Sequence, residues 1–317
     1  MASSNHSSVA EFTLQSLSEN PQVQIFIFSL FLGFFIVAFT GNSLIVIVIS
    51  LNPGLHTPMY FFLINLALMD ILSASTVVPK LLQSLMTKNT ISYGGCIAQI
   101  YFLTWCLGAE LLLFTVMAYD RYVAICQPLH YSTIISKAAC CLMASAVWAI
   151  SGTNATIHII FIVHLFFCGP NVIDHFFCEI PPLLPLSCSS TYVNNIMVIM
   201  AHIFFAVFNF LLILVSYGFI ISSILKIRTK EGKKRAFSTC SSHLIVIAMY
   251  YCPTIYIYIV PGLNQTLKDG KVASLFYTIV TPALNPVIYS LRNQDVKIAL
   301  KKLCPFLGNN WPFGKLI

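Results

Sequence analysis

Long apolar stretches separated by short polar ones dominate this chain. Seven runs stand out: Ile25–Ile49, Met59–Leu82, Ile97–Ala118, Ala139–Ile162, Val193–Leu225, Ser238–Val260 and Val272–Leu291. Lipid offers a backbone no hydrogen-bond partner, so an apolar run of about 20 residues crosses it as a helix that satisfies its own groups. The pattern predicts an all-α membrane protein, a seven-transmembrane helix bundle forming a single domain over 1–317. An outer tail (1–24) precedes the bundle (25–291), and a tail with a short amphipathic helix follows it (292–317). The seventh run is short and holds Pro282 and Pro286, while the fifth exceeds what one crossing needs.

Composition supports that reading. The 317 residues are 58% hydrophobic and 9% charged, whereas soluble domains carry about 25% charged residues. Charge also sets direction, because basic residues gather on the cytoplasmic side. Lys226, Arg228, Lys230, Lys233, Lys234 and Arg235 precede the sixth run, and Arg292, Lys297, Lys301, Lys302 and Lys315 follow the seventh. With Arg121 and Lys137, thirteen of the 17 basic residues fall on one side, while Glu11, Glu19, Asp174 and Glu179 fall on the other. The N-terminus is expected outside and the C-terminus inside. The net charge of +7 is thus a topology signal, and no nucleic-acid partner is expected. The start, MASSNHSSVAEF, lacks the basic and apolar regions of a cleavable signal, so the first run is expected to direct insertion.

Cys96, Cys168, Cys178 and Cys188 lie outside, where disulfides persist, and four cysteines allow three pairings. A bridge from Cys96 to the long outer loop would pin that loop over the bundle. Cys126, Cys240 and Cys304 face the cytosol; Cys304, beside basic residues, is a candidate for palmitoylation or remains a free thiol. Of three Asn-x-Ser/Thr sites, Asn5 in the outer tail is the expected glycan acceptor. Asn264 lies close to the membrane, and Asn154 lies inside the fourth run.

Ionisable groups at bilayer depth are costly and mark function. Asp70 and Glu110 lie mid-run, with Asn42 and Asn285 at similar depth. The carboxylates could share a sodium ion, since hard cations prefer oxygen, share a proton, or form an interhelical hydrogen-bond network. No HExxH, GxSxG or clustered metal set accompanies them, which argues against an enzyme. No duplicated halves with broken helices appear, which weakens a transporter reading. Pro253, Pro282 and Pro286 should kink the last two helices. At the inner end of the third run, MAYDRYVAIC sets Asp120 beside Arg121: either an arginine reaching to headgroups, or one that leaves its acid for a cytoplasmic partner.

Six motifs then narrow the choice: Gly41-Asn42, LHTPMYFFLINLALMD over Leu55–Asp70, MAYDRYVAIC over Met117–Cys126, Ser216-Tyr217, RAFSTCSSHL over Arg235–Leu244, and PALNPVIYSLRN over Pro282–Asn293. In this order the chain resembles the odorant receptors, a branch of the rhodopsin-like (class A) G-protein-coupled receptors. The resemblance implies a small volatile odorant as ligand, a heterotrimeric G protein of the stimulatory, olfactory type as partner, and rising cyclic AMP. It also implies the plasma membrane, and olfactory cilia in particular. Asp120, Arg121 and Tyr122 match the activation motif, Asn285, Pro286 and Tyr289 the helix-seven motif, and Tyr217 the inner tyrosine of helix five. Asp70 and Glu110 match the inner acidic pair, which favours sodium. Cys96–Cys178 and Cys168–Cys188 match the family's outer bridges. Two features depart from the common pattern: Pro253 in helix six, and Arg235 where a lysine is usual.

For the ligand, helical spacing places Leu103, Thr104, Leu107, Gly108 and Leu111 on one face of helix three, with Gly108 leaving room. The resemblance adds His202, Phe205, Tyr251, Tyr258 and Thr278. Each of these could equally serve packing between helices. No carboxylate stands among them, so a neutral or weakly polar volatile is expected.

Overall fold

The computed structural model describes residues 9–168, 171–259, 266–292 and 296–299. The helices relevant to the bundle are α1 (Pro21–Leu51), α2 (Pro58–Met86), α3 (Tyr93–Cys126), α4 (Lys137–Val163), α5 (Tyr192–Lys226), α6 (Lys230–Ile259) and α7 (266–292). Five of them, α1 to α5, are long and apolar enough to cross a membrane among the described residues. Asn5, Asn264, Cys304 and the side chain of Tyr258 lie outside the described residues, as does most of the tail after α7.

Helix ends follow local chemistry. Asn20 accepts from the Gln22 amide at 2.9 Å and Pro21 opens α1, the pairing that satisfies a first-turn donor and needs none from proline. Ser92 caps α3 through the Gly95 amide at 3.1 Å, and Ser136 caps α4 through Ala139 at 3.2 Å. A π-turn over His202–Phe208 interrupts α5. A second π-turn, Phe276–Val280, divides α7.

The core is apolar where α2 and α3 meet, around Phe62, Leu63, Leu66 and Phe114, all 1% exposed or less. Polar side chains then tie helices together. Asn42 donates to the Pro282 carbonyl at 2.9 Å, and Trp148 Nε1 donates to Asn65 Oδ1 at 3.0 Å. Thr115 donates to Asn209 Oδ1 at 2.7 Å. Such bonds matter in a bundle whose outer faces remain apolar.

The end of the bundle where α2 joins α3 adds something the apolar pattern did not predict. Strand β1 (Glu11–Leu14) lies between β2 (Thr90–Ser92), antiparallel, and β3 (Val172–Ile173), parallel. Alternation along β1 buries Phe12 and Leu14 against Ile91, Cys96, Phe167, Ile173 and Cys178. The N-terminal segment is therefore part of the core at this end. Disulfides Cys96–Cys178 and Cys168–Cys188 secure the same cap. Gln99 joins it to the bundle, donating to the Thr76 carbonyl at 3.0 Å and accepting from the Cys178 amide at 2.8 Å.

Candidate functional site

Near the C-terminal end of α3, Asp120 is buried and Arg121 pairs with it through Nε (2.9 Å) and Nη2. The other Asp120 oxygen accepts from Tyr131 OH at 2.7 Å. Tyr131 starts a short helix, Tyr131–Ile134, after α3. Its phenol lies outside the span, and burial followed by the neighbouring Asp120 charge raises its pKa. Both carboxylate oxygens are thus occupied, and the arginine is held along its own helix.

A small enclosed cavity of about 10 Å³ lies beside this pair, lined by Met59, Met117, Asp120, Arg121, His243 and Tyr289. It brings residues from α2, α3, α6 and α7 to one point. Across it, Tyr217 on α5 is linked to His243 on α6 by a 2.7 Å hydrogen bond between the hydroxyl and Nδ1. His243 Nε2 and Tyr289 OH are buried with no hydrogen-bond partner among the described residues. Tyr122 points elsewhere, packing on Tyr119 and Phe219. His243 was missed by the sequence reading, although it stands inside RAFSTCSSHL. The rule that selected Asp70 and Glu110, an ionisable group within an apolar run, selects it equally.

One level deeper, Asp70 accepts twice from Asn285 Nδ2, at 2.9 and 3.1 Å. Glu110 is 1% exposed and receives a hydrogen bond from Tyr250. Ser73 Oγ, Glu110 Oε1, Thr281 Oγ1 and Asn285 Oδ1 are buried without a hydrogen-bond partner among the described residues. This donor set is all oxygen, which suits a hard monovalent cation. Next to it, Gly41 allows α1 to approach α7: a Cβ there would stand 2.8 Å from Pro286 Cγ.

Toward the opposite end of the bundle, the sequence-derived ligand residues fall into separate groups. Leu103 and Leu107 pack with Val77, Phe177 and Leu275, so Phe177 of the α4–α5 loop reaches the helix-three face. Thr104 is half-buried beside them and Leu111 is buried. Gly108 admits neighbours directly: a Cβ there would meet Phe205 Cε1 and Ser151 Cβ, both at 3.2 Å. Tyr251 is buried against Phe210, ring centroids 4.7 Å apart, with its hydroxyl unpartnered among the described residues. Thr278 is buried and donates to the Ser274 carbonyl at 2.5 Å. His202 is exposed, its Nδ1 2.8 Å from the Val198 carbonyl of its own helix. His158, buried on α4, was not singled out from sequence; it too is an ionisable side chain in an apolar run.

The helical bundle, the Asp-Arg pair at the foot of α3 and the Asp70–Asn285 tie agree with the resemblance to rhodopsin-like G-protein-coupled receptors. Comparison with known proteins narrows this further. The olfactory receptor family model matches residues 31–305. Human olfactory receptor 13A1 is 56% identical over 96% of this chain and 94% of its own length. Human olfactory receptor 13G1 is 53% identical over 96% and 99%, and mouse olfactory receptor 1M1 47% over 96% and 97%. The chain belongs to the olfactory receptor family, an odorant-sensing family of receptors with apolar, membrane-crossing helices.

Proposed function

We propose that this protein is an odorant-activated receptor with seven membrane spans, its N-terminus outside and its C-terminus inside the plasma membrane of olfactory cilia. A small, mostly apolar volatile binds between α3, α5, α6 and α7, contacting residues drawn from Leu103, Thr104, Leu107, Gly108, His202, Phe205, Tyr251, Tyr258 and Thr278. Concave, apolar sites with a few polar anchors suit such ligands. Binding shifts the population toward a state in which the inner end of α6 moves away from α3. Arg121 then leaves Asp120, and with Tyr217 lines a cleft for a stimulatory, olfactory-type G protein, raising cyclic AMP.

One observation supports this most: Arg121 is stored against a buried acid at the point where α2, α3, α6 and α7 converge. The Tyr217–His243 bond is the joint that the movement of α6 would have to rearrange. Buried oxygens around Asp70 and Glu110 favour a sodium ion in the resting state, held by Asp70, Glu110, Ser73 and Asn285. Such an ion would brace the helices and oppose the shift.

The test is a cyclic AMP reporter cell expressing Arg121→Ala, challenged with an odorant panel that activates the unmodified receptor. The response should vanish while surface staining persists. Undiminished signalling at equal surface density refutes the mechanism. Screening the same panel also identifies the ligand class, and accumulation of labelled odorant without any G protein would instead favour transport.

A further inference from the structure

We propose that the corner joining α5 to α6 binds the headgroup of an anionic membrane lipid, with phosphatidylinositol bisphosphate the favoured occupant. The inference rests on the inside-facing topology proposed above. Helix α5 ends at Lys226 and α6 begins at Lys230, so only Ile227–Thr229 separate them. Lys226, Arg228, Lys230 and Lys234 are exposed and Lys233 is half-buried. Glu231 is the one acid in this stretch. No ion pair joins any of these cations to a carboxylate among the described residues, where the pairs are Arg121–Asp120, His175–Glu179 and Lys271–Asp174.

Positive-inside topology needs only an excess of basic residues, dispersed or not. Here they converge. Lys230, Lys233 and Lys234 are spaced i, i+3 and i+4, which places them on neighbouring positions of one helical surface. They occupy the first turns of α6, where free backbone N–H groups already favour anions and like charge is unfavourable. A polyanion would neutralise both. Gly232 donates to Thr229 Oγ1 at 3.3 Å and Lys233 N to the Thr229 carbonyl at 3.1 Å, so the protein itself satisfies part of that turn.

Depth selects lipid over a soluble anion. Phe219, Ile221 and Leu225, 57%, 43% and 62% exposed, lead down α5 to Lys226. Phe237 on α6 is 47% exposed. An apolar face open to hydrocarbon therefore passes directly into the cationic corner, and a three-residue connection cannot carry the charges away from the headgroup layer. Basic clusters just inside a span attract anionic lipid, each cation contributing about fivefold to partition. A headgroup with several phosphates meets several of these cations at once.

The experiment uses the full-length receptor in nanodiscs of phosphatidylcholine doped with fluorescent phosphatidylinositol bisphosphate, with energy transfer from a dye on the receptor. No odorant or G protein is present, so this result and the signalling test can fail independently. Unmodified receptor should show strong transfer that unlabelled phosphatidylinositol bisphosphate in the bilayer competes away. Lys226→Gln, Arg228→Gln, Lys230→Gln and Lys234→Gln combined should lose most of it. The charge-conserving set Lys226→Arg, Lys230→Arg and Lys234→Arg should retain it, which controls for folding. Full transfer in the glutamine variant overturns the proposal, as does equal competition by the soluble inositol phosphate headgroup, which would remove the role of the membrane.

Discussion

Gly41 and Gly33 lie on one helix and differ only in what faces them. A methyl group at Gly41 would meet the Pro286 ring at 2.8–2.9 Å, whereas nothing stands within 4 Å of Gly33. A proline ring cannot rotate aside, so Gly41→Ala should destabilise the receptor by about 1–3 kcal/mol through overpacking. Gly33→Ala should be neutral or stabilising by up to about 1 kcal/mol from helix propensity. Thermal unfolding of the purified variants decides this, and equal midpoints would show that α1 does not depend on close approach to α7. Asp120 gives a second contrast at this scale. Its two oxygens hold Arg121 and Tyr131, so Asp120→Asn should weaken the arginine's hold and raise cyclic AMP several-fold without odorant. Basal signalling at the unmodified level, at matched surface density, would mean that the pair does not restrain the receptor.

Elements differ in how openly the sequence announces them. Helices α1 to α5 were legible because a membrane span must be apolar along its whole length, a signal that survives errors at either end. Asp120 and Arg121 were legible as neighbours in the chain, and Asp70 and Asn285 stood out because charge and amide groups are rare at bilayer depth. The sequence reading set Asp70 with Glu110, however, and the bond from Asn285 to Asp70 came from the fold. Strand β1 was not: EFTL offers four residues of alternation, and its reason for pairing is β2 and β3, distant in the chain. The π-turn of α5 was also hidden, since one extra residue per turn barely alters an apolar run. Asn209 holds that turn by donating to the Phe204 carbonyl at 2.8 Å, five residues back, while accepting from Thr115 on α3. Removing a buried partner and leaving others unsatisfied costs about 1–3 kcal/mol. Asn209→Leu should therefore lower the unfolding temperature and weaken odorant potency, because Phe205 within the turn packs on Gly108. Asn195→Ala, an exposed site on the same helix, should leave both unchanged. If the two variants behave alike, the π-turn is not set by Asn209.

Across the whole molecule, the strand-bearing cap joins the N-terminal segment, the long α4–α5 loop and the N-terminal end of α7. Lys271 ties all three, bonding Gln15 Oε1 at 2.6 Å and Asp174 Oδ1 at 2.5 Å. Next to it, His175 in the loop meets Ser274 Oγ at 3.1 Å through Nε2, and the Phe177 carbonyl lies 3.2 Å from Nδ1. Tyr277 donates to Glu179 at 2.8 Å. Burial is the main force on His175 and lowers its pKa, with Lys271 acting in the same direction and Glu179, the Phe177 carbonyl and Asp174 opposing it. An unfolded histidine titrates near about 6.5. Below that value the opened cap binds a proton that the closed cap resists, so closure loses stability as pH falls and is fully supported above it. Hydrogen exchange at Phe12, Thr13 and Leu14, corrected for intrinsic rates, should show β1 opening more often as pH drops below about 6.5. His175→Asn should flatten that dependence, since an amide cannot gain the proton. Lys271→Met should raise opening at every pH by releasing Gln15 and Asp174 together. A pH profile unchanged by His175→Asn would assign the acid sensitivity to the carboxylates instead, and the cap would then be held by Lys271 and the disulfides alone.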